Sequence, residues 1–371
     1  MHLPEEVSAV RLAQDLIRLN TVNPPGNEAQ AIDFVGTVLE RIGFSVETYK
    51  MSEQRTSLIA DLPGQDGRPP LCFTGHLDTV GLGTTPWSVD PFGGEIRDGK
   101  IYGRGSTDMK GGIAAIIAAA AQTRNKPRSG LKMVFTAGEE TGCEGAQHLV
   151  NLGVLGKTRA IVVAEPTSNK PLIGHRGALW LTLKVPGKSA HGSTPERGEN
   201  AVVKAANIIS ELGQFGFDAP IHEHLGGFSL NIGYCHGGDN INVVPDRAEI
   251  GIDVRTTPNL GSQEVKRKIA SISGDAQTTA IMDLSSVCTD PDNEWFRKVV
   301  SIVESVSGSK ITPAVAPYFT DASVLAPAYG NPPLVILGPG DMELAHCVDE
   351  YCDTRKIEEA VEIYAGIMTA D

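Results

Sequence analysis

The chain has 371 residues, of which 41% are hydrophobic and 21% charged, with 41 glycines. That balance excludes a disordered segment, a collagen-like repeat and a long coiled coil, and at roughly 100–200 residues per domain it predicts two domains. Asp and Glu number 45 against 32 Lys and Arg, a net charge of −13, so the chain lacks the cationic excess that binds nucleic acid or an anionic membrane.

The first twenty residues place Glu5, Glu6 and Asp15 among helically spaced apolar positions, unlike the basic start and unbroken apolar core of a secretory leader. This first helix is expected to end near Asn20, before the break at Asn23-Pro24-Pro25-Gly26-Asn27. A second helix is predicted over Glu28 to Ile42, then strands over Ser45–Tyr49, Ser57–Asp61 and Leu71–Thr74. A hairpin of Gly94–Ile96 and Lys100–Tyr102 should turn on Asp98-Gly99. Gly111 to Arg124 reads as a buried helix. Its apolar core, Ile113–Ala121, has nine residues, and a membrane span needs about 20. Leu131–Thr136 and Ala160–Ala164 read as buried strands, separated by a helix reaching Asn151. Strands alternating with helices predict an α/β fold with a mostly parallel sheet covered by helices.

From Arg176 the pattern becomes β-α-β-β-α-β: Ala178–Val185, Asn200–Gln214, Phe228–Tyr234, Arg247–Arg255, Ser262–Ser273 and Thr278–Leu284. That order matches a ferredoxin-like α+β unit. The α/β texture resumes with a helix over Asn293–Ser305, a strand over Leu334–Leu337 and a helix over Lys356–Met368. Residues 176–284 are therefore expected to form a domain inserted into a first one made of 1–175 and 285–371. The six cysteines, scattered at 72, 143, 235, 288, 347 and 352, read as reduced thiols. A soluble cytoplasmic protein is expected.

Five separated segments carry metal-type side chains: His76 and Asp78 in GHLDTV, Asp108 in GRGSTDMKGG, Glu139 and Glu140 in GEETGCEGA, Glu165 in AEPT, and His346 in GPGDMELAHCVDEY. Three of them directly follow expected strand ends, where α/β sheets gather ligands. Taken singly, each has a bland reading: a solvated loop residue, a hydrogen-bonded turn, or a Glu pair capping the next helix. Taken together, a nitrogen and oxygen donor set without paired cysteines suits Zn²⁺ or another borderline divalent ion. One carboxylate can bridge two ions, and a carboxylate that is not a ligand can shuttle the proton of an activated water. Adjacent Glu139 and Glu140 can divide the work, one as base and one as ligand. The phosphate-cradle and nucleophile-elbow patterns are absent, and G-x-G-x-x-G fails because Asp108 fills its last position.

These motifs, in this order and over nearly the whole length, resemble the M20 metallopeptidase/deacylase family, which includes acetylornithine deacetylases, succinyl-diaminopimelate desuccinylases and aminoacylase-1. The segments LNIGYCHGGDNINVVPDRAEIGIDVR and LVILGPGDMELAHCVDEY are most similar to the acetylornithine deacetylases. The resemblance implies a homodimeric hydrolase of amino-acid (arginine) biosynthesis with two divalent metal ions, Zn²⁺ or alternatively Co²⁺. Its substrate would be an N-acyl amino acid or short peptide, with no nucleic acid or membrane partner. It also implies roles. His76 and Glu165 hold one metal, Glu140 and His346 the other, and Asp108 bridges them. Asp78 orients His76, and Glu139 is the general acid/base. His191, from the inserted dimerisation domain, stabilises the oxyanion in the neighbouring subunit's site. Arg176, Asn242 and Arg255 hold the substrate carboxylate. The alternatives are a desuccinylase, a carboxypeptidase or dipeptidase, and, remotely, a metal-binding homologue without activity.

Overall fold

The structure, a computed structural model, describes residues 7–123, 128–214 and 219–370. Glu5, Glu6 and the Arg124 end expected for the third helix lie outside them. Helices α1 (Ala9–Ile17) and α2 (Ala29–Arg41) come first, then strands β1 (Ser45–Lys50), β2 (Thr56–Leu62) and β3 (Leu71–His76). The hairpin is β4 (Ile96–Arg97) and β5 (Lys100–Tyr102). Its first strand lies closer to the turn than expected. Asp98 and Gly99 have φ of 52° and 74°, the two-residue turn whose twist suits paired strands, so pairing starts directly beside it. There follow α3 (Gly111–Thr123), β6 (Leu131–Thr136), α4 (Glu144–Leu152), β7 (Ala160–Val163) and β8 (Leu172–His175). Next come β9 (Gly177–Pro186), α5 (Ala201–Gln214), β10 (Ser229–Gly237), β11 (Arg247–Thr256), α6 (Ser262–Ser273) and β12 (Gln277–Leu284). The chain closes with β13 (Val287–Cys288), α7 (Glu294–Ser307), β14 (Ala314–Ala316), α8 (Ala322–Ala328), β15 (Leu334–Ile336), β16 (Tyr351–Asp353) and α9 (Thr354–Thr369).

Strands β8, β13, β14 and β16 and helix α8 have no counterpart in the sequence reading. The strands run two to four residues, too short to show a period, and Pro327 interrupts the pattern of α8. All six cysteines are free thiols.

Two compact units emerge. One comprises the residues up to Gly174, Cys288–Ala316 and those from Thr320 onward; the other comprises His175–Val287 with Pro317–Phe319. The first is built on a sheet ordered β1-β2-β6-β3-β7-β15-β8-β13, with β14 paired to β8. Its central run β6-β3-β7-β15 is parallel, while β1/β2, β2/β6 and β15/β8 pair antiparallel. Every residue of β3, β6 and β7 is buried, so both faces of these strands are covered. Helix α3 is buried almost all round and packs in one apolar core with α1, α9 and the inward side chains of β3 and β6. Its Gly and Ala residues allow that close approach. Tyr364 of α9 meets Phe73 edge-on at 5.6 Å, and its hydroxyl donates to the Leu337 carbonyl at 2.5 Å.

The second unit is an antiparallel sheet ordered β10-β11-β9-β12. This is the arrangement of a β-α-β-β-α-β ferredoxin-like unit. Leu179, Leu181, Leu183 and Val185 alternate along β9 and pack with Ile250, Ile252 and Val254 against Ala205 of α5 and Val265 and Ile269 of α6. Among the described residues, no helix is long and apolar enough to cross a membrane.

Gly112 lies close against the chain leaving β7: a Cβ there would come 2.4 Å from the Ala164 carbonyl oxygen. Gly112→Ala is therefore expected to destabilise by about 1–3 kcal/mol through overpacking. A lowered thermal unfolding midpoint checks this; an unchanged midpoint would show that α3 can shift freely.

Candidate metal centre

Parallel neighbours deliver their carboxyl ends to one edge of a sheet. Here β6, β3, β7 and β15 do so with His76 at the end of β3, Glu139 and Glu140 in the turn after β6, and Glu165 two residues after β7. His346 follows β15 on a longer loop, with a φ of 63°. Asp108 comes from the turn Ser106–Lys110, with non-helical φ and ψ of −121° and 94°.

The side chains converge. His76 Nε2 lies 3.1 Å from Asp108 Oδ1 and 3.8 Å from Glu165 Oε1. His346 Nε2 lies 3.3 Å from Asp108 Oδ2 and 3.2 Å from Glu140 Oε1. Asp108 thus faces one imidazole with each oxygen. Ligand atoms of His76, Asp108 and Glu140 fall within 4.8 Å of one another. His76 is 1% exposed and the His346 side chain 52%, so one end of the cluster is sealed and the other opens to solvent. The Glu139 carboxylate has Cys143 Sγ 4.0 Å from its Oε1.

Asp78 is fully buried and acts as a hub. The second ring nitrogen of His76 meets the Asp78 backbone carbonyl at 2.9 Å, with the carboxylate farther off at 3.5 Å. That carboxylate accepts from the backbone N–H of Glu139 at 3.1 Å, the N–H of Glu140 at 3.2 Å and the Asn23 side-chain amide at 3.0 Å. It therefore sets the Glu139–Glu140 turn as well as standing behind the His76 ring.

Charge is crowded here. Burial, then repulsion from Glu165 and Glu140, pushes the Glu139 carboxyl well above its usual range despite the opposing pull of His76. Burial and Asp108 do the same to Glu165 and, less strongly, to Glu140. Burial works against Asp108 too, but hydrogen bonds from His346 and His76 hold its carboxyl low. The same bonds to Asp108 and Glu140 push His346 up to about 10. Mutually repelling carboxylates beside two imidazoles in a largely buried cluster form a donor set that fits divalent cations. Metal ligands must be deprotonated, so cations entering here compete with protons on the imidazoles.

The other four expected residues belong to the second unit. His191 is exposed, with its ring Nδ1 2.8 Å from Ser193 Oγ. Its loop pairs with that of Asn242, through Gly192 N–H donating to the Asn242 carbonyl at 2.7 Å. Arg176 Nη1 donates to Ser229 Oγ at 3.2 Å, and Ser229 lies opposite Arg255 across the β10–β11 pair. The Arg255 guanidinium is ion-paired to Asp253, two residues away, at 3.1 Å.

Three residues escaped the sequence reading. Asn23 was read only as part of a chain break, yet it supports Asp78. Asp321 is buried beside the cluster and accepts a hydrogen bond from Thr136 Oγ1, with burial pushing its carboxyl up to about 6. No local pattern marks it. Glu350 is buried at the end of the motif that holds His346, and only its neighbourhood gave a signal.

Comparison with known proteins gives a family and a fold. The profile of peptidase family M20/M25/M40 matches residues 72–370. A probable succinyl-diaminopimelate desuccinylase of Staphylococcus epidermidis is 28% identical over 100% of this chain and 99% of its own. An acetylornithine deacetylase of Photorhabdus laumondii is 31% identical over 88% of each chain. Among solved structures, an M20 family metallo-carboxypeptidase from Sulfolobus solfataricus superposes with a TM-score of 0.79 at 17% identity, covering 99% of both chains. The aminopeptidase PepT of Bacillus cereus gives 0.78 at 20% identity, covering 98% of both.

The raised His346 means that its ion pairs stabilise the metal-free protein fully below about pH 6.5 and are lost as pH rises through about 10. At neutral pH, Zn²⁺ titrated into metal-free protein should therefore release at least one proton per molecule, and bind more tightly as pH rises. Calorimetry in buffers of different ionisation enthalpy checks this; heats independent of buffer would contradict it.

Proposed function

We propose that this chain, which belongs to peptidase family M20/M25/M40, is a two-metal amidohydrolase that removes N-acyl groups from amino acids. The observation that carries the reading is the Asp108 carboxylate set between His76 and His346, with Glu140 and Glu165 beside them and Glu139 left over. His76 and Glu165 would hold one ion, His346 and Glu140 the other, and Asp108 both. Zn²⁺ is the ion proposed, with Co²⁺ as an alternative occupant. Bound there, such ions supply Lewis-acid polarisation of the amide carbonyl and an acidified water.

The chain's own residues do the rest. Glu139, with its carboxyl pushed upward by burial, is suited to accept a proton near neutral pH and return it to the leaving nitrogen. Asp78 holds the turn that aims it. In the second unit, Arg176, Asn242 and Arg255 are assigned to the substrate carboxylate, which a guanidinium can grip with two parallel bonds. His191 is assigned to the carbonyl oxygen as charge develops. We further infer a homodimer in which His191 serves the neighbouring subunit. Its exposure and its lack of a carboxylate partner among the described residues support that assignment.

Relatives named for succinyl-diaminopimelate and for acetylornithine match at similar identity. The substrate is accordingly proposed at the level those names share, an N-acylated amino acid.

Glu139→Gln should keep metal content at the wild-type level and lose about 10²–10⁴-fold in kcat. Rates on N-acetylornithine, N-succinyl-diaminopimelate, other N-acyl amino acids and dipeptides check this, and a variant as fast as wild type would overturn the mechanism. Mixing His191→Ala with Asp108→Ala protein should restore part of the activity; none restored would argue for a site complete within one subunit.

A further inference from the structure

The Glu350 carboxylate is almost completely buried, and among the described residues its hydrogen-bond donors come from one short stretch. Oε2 accepts from Arg104 Nη1 at 2.7 Å and from the Gly105 N–H at 3.0 Å. Oε1 accepts from the N–H of Thr107 at 2.8 Å and of Asp108 at 3.1 Å. The neighbouring backbone continues the seam: Gly103 N–H donates to the Glu350 carbonyl at 2.9 Å, and Thr107 Oγ1 to the Tyr351 carbonyl at 2.7 Å. Three amides and a guanidinium wrapped around one anion form a cradle like those that bind phosphate, here filled by the chain's own carboxylate.

The cradle's last donor is the N–H of Asp108, whose side chain faces both imidazoles. Glu350 also lies four residues after His346. One carboxylate thus joins the turn that presents Asp108 to the loop that presents His346, across more than 200 residues of sequence. We infer that Glu350 is the positioning residue of the metal centre, fixing Asp108 so that its two oxygens face His76 and His346. This rests on the two-metal reading above. Charge and shape both matter: a glutamine amide would turn N–H groups toward donors already aimed at the site, leaving at least one buried donor without a partner.

The test uses the full-length protein, Co²⁺ as probe, and the variants Glu350→Gln, Glu350→Asp and Arg104→Lys. Tyr364→Phe serves as control, since it removes a buried hydrogen bond elsewhere in the same unit. Glu350→Gln should bind the weaker of two Co²⁺ ions at least ten-fold less tightly, with an altered visible absorption band. With metal saturating, its kcat should fall at least 100-fold while KM changes less than three-fold. Glu350→Asp should recover at least ten-fold of that kcat. If Glu350→Gln does not fold, Arg104→Lys carries the test, with Co²⁺ affinity expected to fall at least three-fold. Wild-type Co²⁺ affinity and spectrum in the folded Glu350→Gln or Arg104→Lys protein would overturn the inference. So would an equal loss in Tyr364→Phe. The Co²⁺ arm needs no substrate. A wild-type protein that binds two Co²⁺ ions yet cleaves no acyl amino acid would sink the proposed activity and leave the role of Glu350 decided by metal binding.

Discussion

Buried negative charge at the carboxyl ends of parallel strands is the constraint around which the first unit is organised. Asp78, Glu139 and Glu165 are at most 5% exposed, and Asp108 and Glu140 sit beside them. Each ion taken from water costs several kcal/mol unless it finds partners. The surrounding architecture supplies them: two imidazoles, backbone amides of the turns, and the Asn23 side chain. The sheet explains why the acids meet; hydrogen bonds from the imidazoles and turns favour the ionised forms of Asp78 and Asp108, whereas burial favours the protonated forms of Glu139 and Glu165.

The turns are consequently tied down by charged clamps set back from the cluster. Arg104 and Glu350 hold the stretch leading to Asp108. Arg55 reaches Glu144 at 2.5 Å and Glu28 at 3.4 Å, bracing the turn that carries Glu139. Gly138, with φ of 71°, lies in that turn. The left-handed backbone favours glycine, and a Cβ there would displace the Arg55 guanidinium, which it would meet at 2.2 Å. Rigid support behind reactive groups is what lets them act without reorganising.

The second unit follows a different logic. One face of its sheet is packed by α5 and α6, and strand β10 alternates between half-buried and exposed residues along most of its length. The side chains assigned to substrate lie in this unit, on its loops and at the Ser229–Arg255 end of the sheet. The Arg255 guanidinium is paired with Asp253, whereas Arg176 donates through Nη1 to Ser229 Oγ and the Gly227 carbonyl.

Much of this was legible in the sequence because periodicity and turn chemistry are local. The long helices, the buried strands and the β-α-β-β-α-β order follow from side-chain spacing, and the Gly-rich turns mark where ligands cluster. The His76, Glu139, Glu140 and Glu165 segments were visible as polar residues directly after apolar strands, and the Asp108 and His346 segments as Gly-containing motifs with metal-type side chains. The two-residue β13, the Pro-interrupted α8, and the roles of Asn23, Asp321 and Glu350 were not. A pattern too short for a period carries no local signal, and a buried polar residue looks like a surface one until its partners are known. Which nitrogen of His76 meets a backbone carbonyl, and which carboxylate holds the Asp108 turn, are set by contacts between segments up to 246 residues apart. Only the packed sheet, which brings those segments within hydrogen-bonding distance, could decide them.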